Sequence, residues 1–205
     1  MLGAPRSNVG DEMRVLFLGP PRPVLYRRLE QCGDIPVPFE SPVDEANADL
    51  MAADFAVSYG YRYILKPKVM RQIRGRAINL HISMLPWNRG ADPNLWSFLE
   101  NTPKGVTIHL LDEAVDAGPI LYQQEVCFGQ NETLKTTYEK LSLAIESLFC
   151  DNWLAIRTNA VRAEPQPPGG TFHKLADKRS YMHLLSAGWD TPVAEIAGKA
   201  CVRLS

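Results

Sequence analysis

Three side chains in one stretch of this sequence could do chemistry together: Asn79, His81 and Asp116. Asn79 and His81 interrupt the apolar run Ile78-Asn79-Leu80-His81-Ile82, so on an extended strand both leave by the same face. An amide supplies N–H donors, an imidazole exchanges a proton near neutral pH, and a carboxylate can orient the imidazole or hold a proton-carrying water. Together they make an acid/base site. Each alone has an ordinary reading: an Asn near a turn caps backbone, a strand His is a satisfied core residue, and Asp116 ahead of Ala117-Gly118 is a turn residue. The other histidines carry less weight, because His109 alternates out of its strand while His173 and His183 lie near the end of the chain. No two histidines stand at metal-ligand spacing. Cys32, Cys127, Cys150 and Cys201 are scattered without a CxxC, so the reading is no metal site and no disulfide framework.

The elements that must position these groups follow from pattern. Arg14 to Leu18 reads as a buried first strand, ended by Gly19-Pro20-Pro21, and a helix follows from Pro23 to Cys32. Ile35 to Phe39 contains two prolines and can only be an edge strand. A short helix over Asp44 to Ala53 precedes a strand-to-loop run from Phe55 to Leu65, then a helix from Pro67 to Arg74 begun by proline. After the strand Ile78 to Ile82 comes the loop Pro86 to Pro93. Asp92 then caps a helix that runs to Glu100 with Pro93 at its first position. Val106, Ile108 and Leu110 alternate with Thr107 and His109 as a half-buried strand, and Ile120 to Val126 is another. The longest helical signal is Leu134 to Ile156, with Leu134, Tyr138, Leu141, Ile145 and Leu148 on one face. This alternation predicts an α/β fold with a doubly wound, mostly parallel sheet, whose ligands bind at the carboxyl ends of the strands. Asn79, His81 and Asp116 are expected there. The expected divisions are a disordered tail over 1–12, one catalytic domain over 13–164, and a small C-terminal appendage over 165–205 beyond the break Pro165 to Gly170.

Composition narrows the function classes. The chain has 205 residues, 45% of them hydrophobic, enough for one domain with a real core. A formal charge of −1 advertises no basic surface, so nucleic-acid partners, tRNA included, are disfavoured. No signal-peptide core stands at the N-terminus, and no apolar run approaches the about 20 residues needed to span a bilayer. The expectation is a cytoplasmic protein that meets no membrane.

The three pieces Asn79-Leu80-His81, Ser83-Met84-Leu85-Pro86 and Asp116-Ala117-Gly118, with Gly105-Val106-Thr107 between them, resemble the 10-formyltetrahydrofolate-dependent formyltransferases. The likeness covers residues 54–128 well and the flanks weakly. It implies a Rossmann-like formyltransferase fold and attack of a neutral amine on a formyl carbon. Asn79 would donate to the developing oxyanion, His81 would move the proton and could, when charged, help stabilise that oxyanion, and Asp116 would hold the imidazole or a water. The donor implied is 10-formyltetrahydrofolate, bound between Tyr63-Ile64-Leu65 and the acidic loop of Asp112, Glu113, Ala114, Val115 and Asp116, largely through backbone groups.

The acceptor is the open question at this level. Gly19-Pro20-Pro21-Arg22-Pro23 is a poor phosphate nest, since proline has no N–H, and this counts against glycinamide ribonucleotide. The loop Pro86 to Asn94 resembles that of members acting on nucleotide-linked amino sugars, and so does Gly170-Thr171-Phe172-His173. Trp87, Asn88, Arg89, Asp92 and Asn94 are the expected acceptor contacts, with a dTDP- or UDP-linked 3- or 4-amino deoxysugar as acceptor. Other amines (a hydroxylamine, an amino acid derivative, glycinamide ribonucleotide), hydrolysis of the folate donor, and a non-catalytic folate- or nucleotide-binding module are the competing readings. A homodimer through the C-terminal segment is a further expectation.

Overall fold

The computed structural model describes residues 11–73 and 75–200. The first ten residues of the expected tail, the last residue of the expected Pro67 to Arg74 helix, and Cys201 lie outside them. In order, the elements are β1 (Arg14–Leu18), α1 (Pro23–Gln31), β2 (Ile35–Phe39), α2 (Ala48–Ala52), β3 (Phe55–Ser58), α3 (Pro67–Ile73), β4 (Ala77–His81), β5 (Arg89–Gly90), α4 (Pro93–Leu99), β6 (Gly105–Leu110), β7 (Ile120–Glu125), α5 (Leu134–Arg157), β8 (Phe172–His173), 3₁₀ turns at Asp177–Leu184 and Gly188–Asp190, and α6 (Val193–Ile196).

Six strands form one sheet in the order β2-β1-β3-β4-β6-β7. The first four are parallel, while β6 is antiparallel to β4 and β7 to β6. The prolines of β2 place it at the edge, where a missing N–H leaves no ladder bond unmade. One sheet face carries Val15, Phe17, Val57, Ile78, Leu80, Val106 and Ile108 and is covered by α1 and α5. The other carries Leu16, Leu18, Ala56 and Ala77 under α2 and α3. That second face turns polar along β4 and β6. Asn79 and His81 follow Ala77 at alternate positions, and the pairings Asn79↔His109 and His81↔Thr107 put four polar side chains on it.

The buried stripe of α5 is Leu134, Thr137, Leu141, Ile145, Phe149, Trp153 and Ile156. Tyr138, expected on that stripe, is 42% exposed. Thr137 takes its place, because its hydroxyl donates to the carbonyls of Thr133 and Leu134 and so carries no unmet group into the core. In the strand-to-loop run from Phe55 to Leu65, the strand spans Phe55–Ser58 and the loop follows. In the segment after the Pro/Gly break, Val193, Ile196 and Ala200 pack with Leu95, Phe98 and Leu99 of α4 and with Leu134.

A buried ion pair ties the far end of α5 to the turn before β2. Arg157 Nη2 lies 2.8 Å from Asp34 Oδ1, and Trp153 Nε1 donates to Asp34 Oδ2 at 2.7 Å. Asp34→Ala removes the counter-charge of a buried guanidinium and the acceptor of a buried indole N–H. Loss of about 3–5 kcal/mol is expected in the free energy of unfolding, read from denaturant midpoints.

Candidate active site

The β4–β6 register assembles a polar cluster on the sheet face. Asn79 Nδ2 donates to Asp116 Oδ1 at 3.0 Å and sits 3.3 Å from His109 Nε2. Asp116 Oδ2 accepts the Gly90 N–H at 2.8 Å and lies 3.6 Å from His81 Nδ1. His109 Nε2 is 3.5 Å from Asp116 Oδ1. The three sequence-predicted groups therefore meet, and His109 joins them. Alternation along one strand does not reveal which strand His109 faces; the antiparallel pairing of β6, with His109 opposite Asn79, does.

Asp116 arrives by a different route from the one expected. Since β6 is antiparallel to β4, the loop after it leaves from the opposite end of the sheet and folds back over the face. Two features permit this. Asp116 adopts a left-handed backbone, φ 51°, and a Cβ on Gly118 would stand 1.9 Å from the Leu110 carbonyl oxygen, which accounts for the Asp-x-Gly spacing. Gly90 is similarly constrained, at φ +89° with the His173 carbonyl where a Cβ would be.

The ring tautomer of His81 follows from its partners. Nε2 lies 3.0 Å from the Asn88 carbonyl, which can only accept, so Nε2 carries the hydrogen. Nδ1 is then the nitrogen that gains or loses a proton, and it faces Asp116. Burial pushes the His81 imidazole below its ordinary range, against the opposing pull of the Asp116 charge. Burial also acts to raise the Asp116 carboxyl, but the two histidines and the Gly90 N–H outweigh it and leave it well below the usual carboxylate range. The resting arrangement is an ionised Asp116 beside a neutral His81.

The loop after β4 is shaped from beneath. Thr107 Oγ1 donates to the Ser83 carbonyl at 2.7 Å and accepts the Leu85 N–H, while Ser83 Oγ donates to the Trp87 carbonyl. Of the expected acceptor contacts, Trp87 and Arg89 are half-buried at the surface of this loop, and Arg89 Nη2 donates to the Gly169 carbonyl at 3.2 Å. Asn88 is turned inward instead: its side chain is fully buried and donates to Thr102 Oγ1 at 2.8 Å. Asn94 is buried too, donating to the Leu134 carbonyl. Both amides tie this region to other parts of the chain, Asn88 to Thr102 and Thr171 and Asn94 to α5, which spacing alone does not distinguish from a ligand contact. Asp92 holds the position before α4 but makes no side-chain cap; its φ is 53° and its carboxylate pairs with Lys178 at 2.9 Å.

The expected folate segments flank β4, one after β3 and one after β6. Tyr63, Ile64 and Val115 are 45%, 82% and 42% exposed, while Leu65 packs partly on the core. Asp112, Glu113 and Ala114 are exposed. Among the described residues, the backbone from Asp112 to Val115 makes only a Glu113 N–H bond to Asp112 Oδ1 and an Ala114 carbonyl bond to Ala117. Apolar surface beside uncommitted amides and carbonyls fits a flat heterocycle with a donor–acceptor edge. Among the described residues, no three His, Cys, Asp or Glu side chains group as metal ligands.

The electrostatics give a titration test. In ¹⁵N-histidine NMR, His81 should titrate below pH 6.5 and report protonation at Nδ1. Asp116→Asn should lower that midpoint further, because it removes the charge that favours the imidazolium.

A family model for formyl transferases matches residues 39–151. Among solved structures, the chain is 52% identical to the formyltransferase PseJ from Anoxybacillus kamchatkensis, solved with UDP-4,6-dideoxy-4-formamido-L-AltNAc and tetrahydrofolate. The match covers 91% of this chain and 99% of that one, with a TM-score of 0.89. A 4-N formyltransferase from Francisella tularensis shares the fold at 22% identity and a TM-score of 0.72, over 82% of this chain and 78% of that one. Among curated proteins, the methionyl-tRNA formyltransferase of Thermodesulfovibrio yellowstonii is 33% identical over 114 residues, 55% of this chain and 37% of that protein. The enzyme of the same name from Roseobacter denitrificans is 29% identical over 205 residues, 91% of this chain and 64% of that one. The chain thus spans less than two thirds of either curated relative. With the family model matched across more than half its length and the Asn79, His81 and Asp116 side chains gathered on one sheet face, the chain belongs to the formyl transferase family.

Proposed function

We propose that this chain transfers a formyl group from 10-formyltetrahydrofolate to the primary amine of a nucleotide-linked amino deoxysugar, with a UDP-linked 4-amino-4,6-dideoxy sugar as the leading acceptor. The observation that carries this reading is the Asn79–His81–Asp116 cluster in a chain 52% identical, over nearly its whole length, to PseJ. The −1 net charge supports a small-molecule acceptor over tRNA. Trp87 and Arg89 at the rim of the site offer an aromatic face and a cation for such an acceptor, and Asp112 to Val115 with Tyr63 and Ile64 offer the folate surface.

The folate supplies an activated N-formyl carbon. The chain's residues then divide the work. Asn79 Nδ2 donates to the formyl oxygen as it gains charge, exchanging its contact with His109 or Asp116 for the substrate. Neutral His81 takes the amine proton on Nδ1 as the new carbon–nitrogen bond forms. The resulting imidazolium lies beside the Asp116 carboxylate, which stabilises it, and the proton returns to the donor's nitrogen as its bond to the formyl carbon breaks. Burial suits this task, since it keeps the base unprotonated at neutral pH.

We place the protein in the cytoplasm, supported by the absence among the described residues of a helix long and apolar enough to cross a membrane, and assign its product to glycan assembly. A homodimer through the C-terminal segment is supported by Phe172, Leu175, Met182 and Trp189, all between 48% and 66% exposed.

Incubating the protein with 10-formyltetrahydrofolate and a panel of UDP- and dTDP-linked amino sugars, glycinamide ribonucleotide and simple amines, with products read by mass, tests the assignment. A formylated UDP-4-amino sugar is expected; formate released without any acceptor would mean a hydrolase instead. His81→Ala should lower kcat by about 10²–10⁴-fold and Asn79→Ala by about 10²–10³-fold. The acidic limb of the kcat/KM profile should bend below pH 6.5, the ordinary imidazole value, because only neutral His81 is active and burial lowers its midpoint.

A further inference from the structure

The short run from Glu164 through the Pro/Gly break to His173 makes contact after contact with the catalytic loops. Glu164 exchanges backbone hydrogen bonds with Ile120 at 2.7 and 2.9 Å. Gln166 Nε2 donates both its hydrogens, to the Asp116 carbonyl at 2.8 Å and the Gly118 carbonyl at 2.9 Å. Thr171 Oγ1 accepts the Asn88 N–H at 3.0 Å and donates to Asn88 Oδ1 at 3.3 Å. The Thr171 backbone closes the same grip: its N–H reaches the Pro86 carbonyl at 3.3 Å and its carbonyl takes the Arg89 N–H at 3.0 Å. Two residues on, β8 pairs with β5, the strand whose Gly90 N–H holds Asp116.

These bonds end on the two residues that hold the His81 ring from its two nitrogens. Asn88 stands in a left-handed backbone, φ 58°, and its carbonyl holds His81 Nε2. Asp116, also left-handed, turns its carboxylate to His81 Nδ1. Without outside support a left-handed Asn or Asp is one conformer among several. We infer that Gln166 and Thr171 are positioning residues for the formyl transfer: Gln166 sets Asp116 through its carbonyl, and Thr171 sets His81 through Asn88. Neither touches the reacting atoms. Together they fix the His81–Asp116 geometry, and with it the nitrogen that takes the proton. This inference rests on the reaction proposed above.

The test uses the full chain with Thr171→Val, which keeps the shape and removes the hydroxyl, Thr171→Ser, which restores it, Gln166→Ala, and Gln166→Glu. Kinetics and His81 ring ¹⁵N titration are both recorded. Thr171→Val and Gln166→Ala should lower kcat by up to about 100-fold, as small misplacements of catalytic groups do, with KM nearly unchanged and the acidic inflection moved. Gln166→Glu should be at least as poor, because a carboxylate facing two carbonyls repels them. Thr171→Ser should recover most of the loss. Wild-type kcat and pH profile in both Thr171→Val and Gln166→Ala would overturn the inference, and so would a lowered melting temperature with unchanged kcat in the folded enzyme. If the wild-type protein formylates no amine, the NMR arm still decides. A shifted His81 titration in Thr171→Val upholds the positioning role while the reaction assignment falls; an unshifted one overturns it.

Discussion

The site depends on one constraint: a carboxylate removed from water has to be answered on every side. The side chain of Asp116 is only 10% exposed. A buried charge of that kind persists where donors and opposite charge replace its hydration. Here an amide N–H from β4 and a backbone N–H from β5 supply the donors, and the His81 and His109 rings close sides that water would otherwise reach. These groups come from three strands, so satisfying one carboxylate locks together β4, β5, β6 and the returning loop. Burial lowers the His81 imidazole, while the groups around Asp116 outweigh its own burial, and the outcome is an ionised carboxylate beside a neutral base.

The sheet supplies the ground on which that constraint can be met. Its second face is apolar through β1 and β3, with Leu16, Leu18 and Ala56 under α2 and α3. Where helix cover ends, the alternate positions become Asn79, His81, Thr107 and His109. Thr107 looks inward, binding the Ser83 carbonyl and the Leu85 N–H, so it fixes the loop that carries Trp87 to Gly90. The opposite face keeps Ile78, Leu80, Val106 and Ile108 in the core. One β4–β6 pair therefore serves as core on one side and as chemistry on the other, and a shift of one residue in its register would exchange the two roles.

The C-terminal segment gains its significance from the same loops. α6 docks on α4 through Val193, Ile196 and Leu99, an apolar contact of ordinary kind. His173 stacks on Trp96 at 3.7 Å and faces Glu100 at 3.2 Å, holding β8 beside β5. This packing delivers Thr171 and Gln166 to backbone groups of the site at a sequence separation of 83 and 50 residues.

Local pattern in the sequence determined much of this. The strand period of two put Asn79 and His81 on one face, the prolines of Ile35–Phe39 marked an edge strand, and the motif pieces from Asn79 to Gly118 carried the family resemblance. These features are decided by neighbours in the chain, by sterics and by alternation. Only the tertiary structure decided the rest. The reversal of β6 brought His109 to Asn79, and the loop after β6 folded back to deliver Asp116 to Asn79 and to His81, the last residue of β4. Burial turned Asn88 and Asn94 from apparent ligand contacts into struts, and α5 rotated Thr137 rather than Tyr138 into the core. Each of these outcomes is set by pairing partners and solvent exclusion between residues far apart in sequence, and those energies have no local trace in the order of the amino acids.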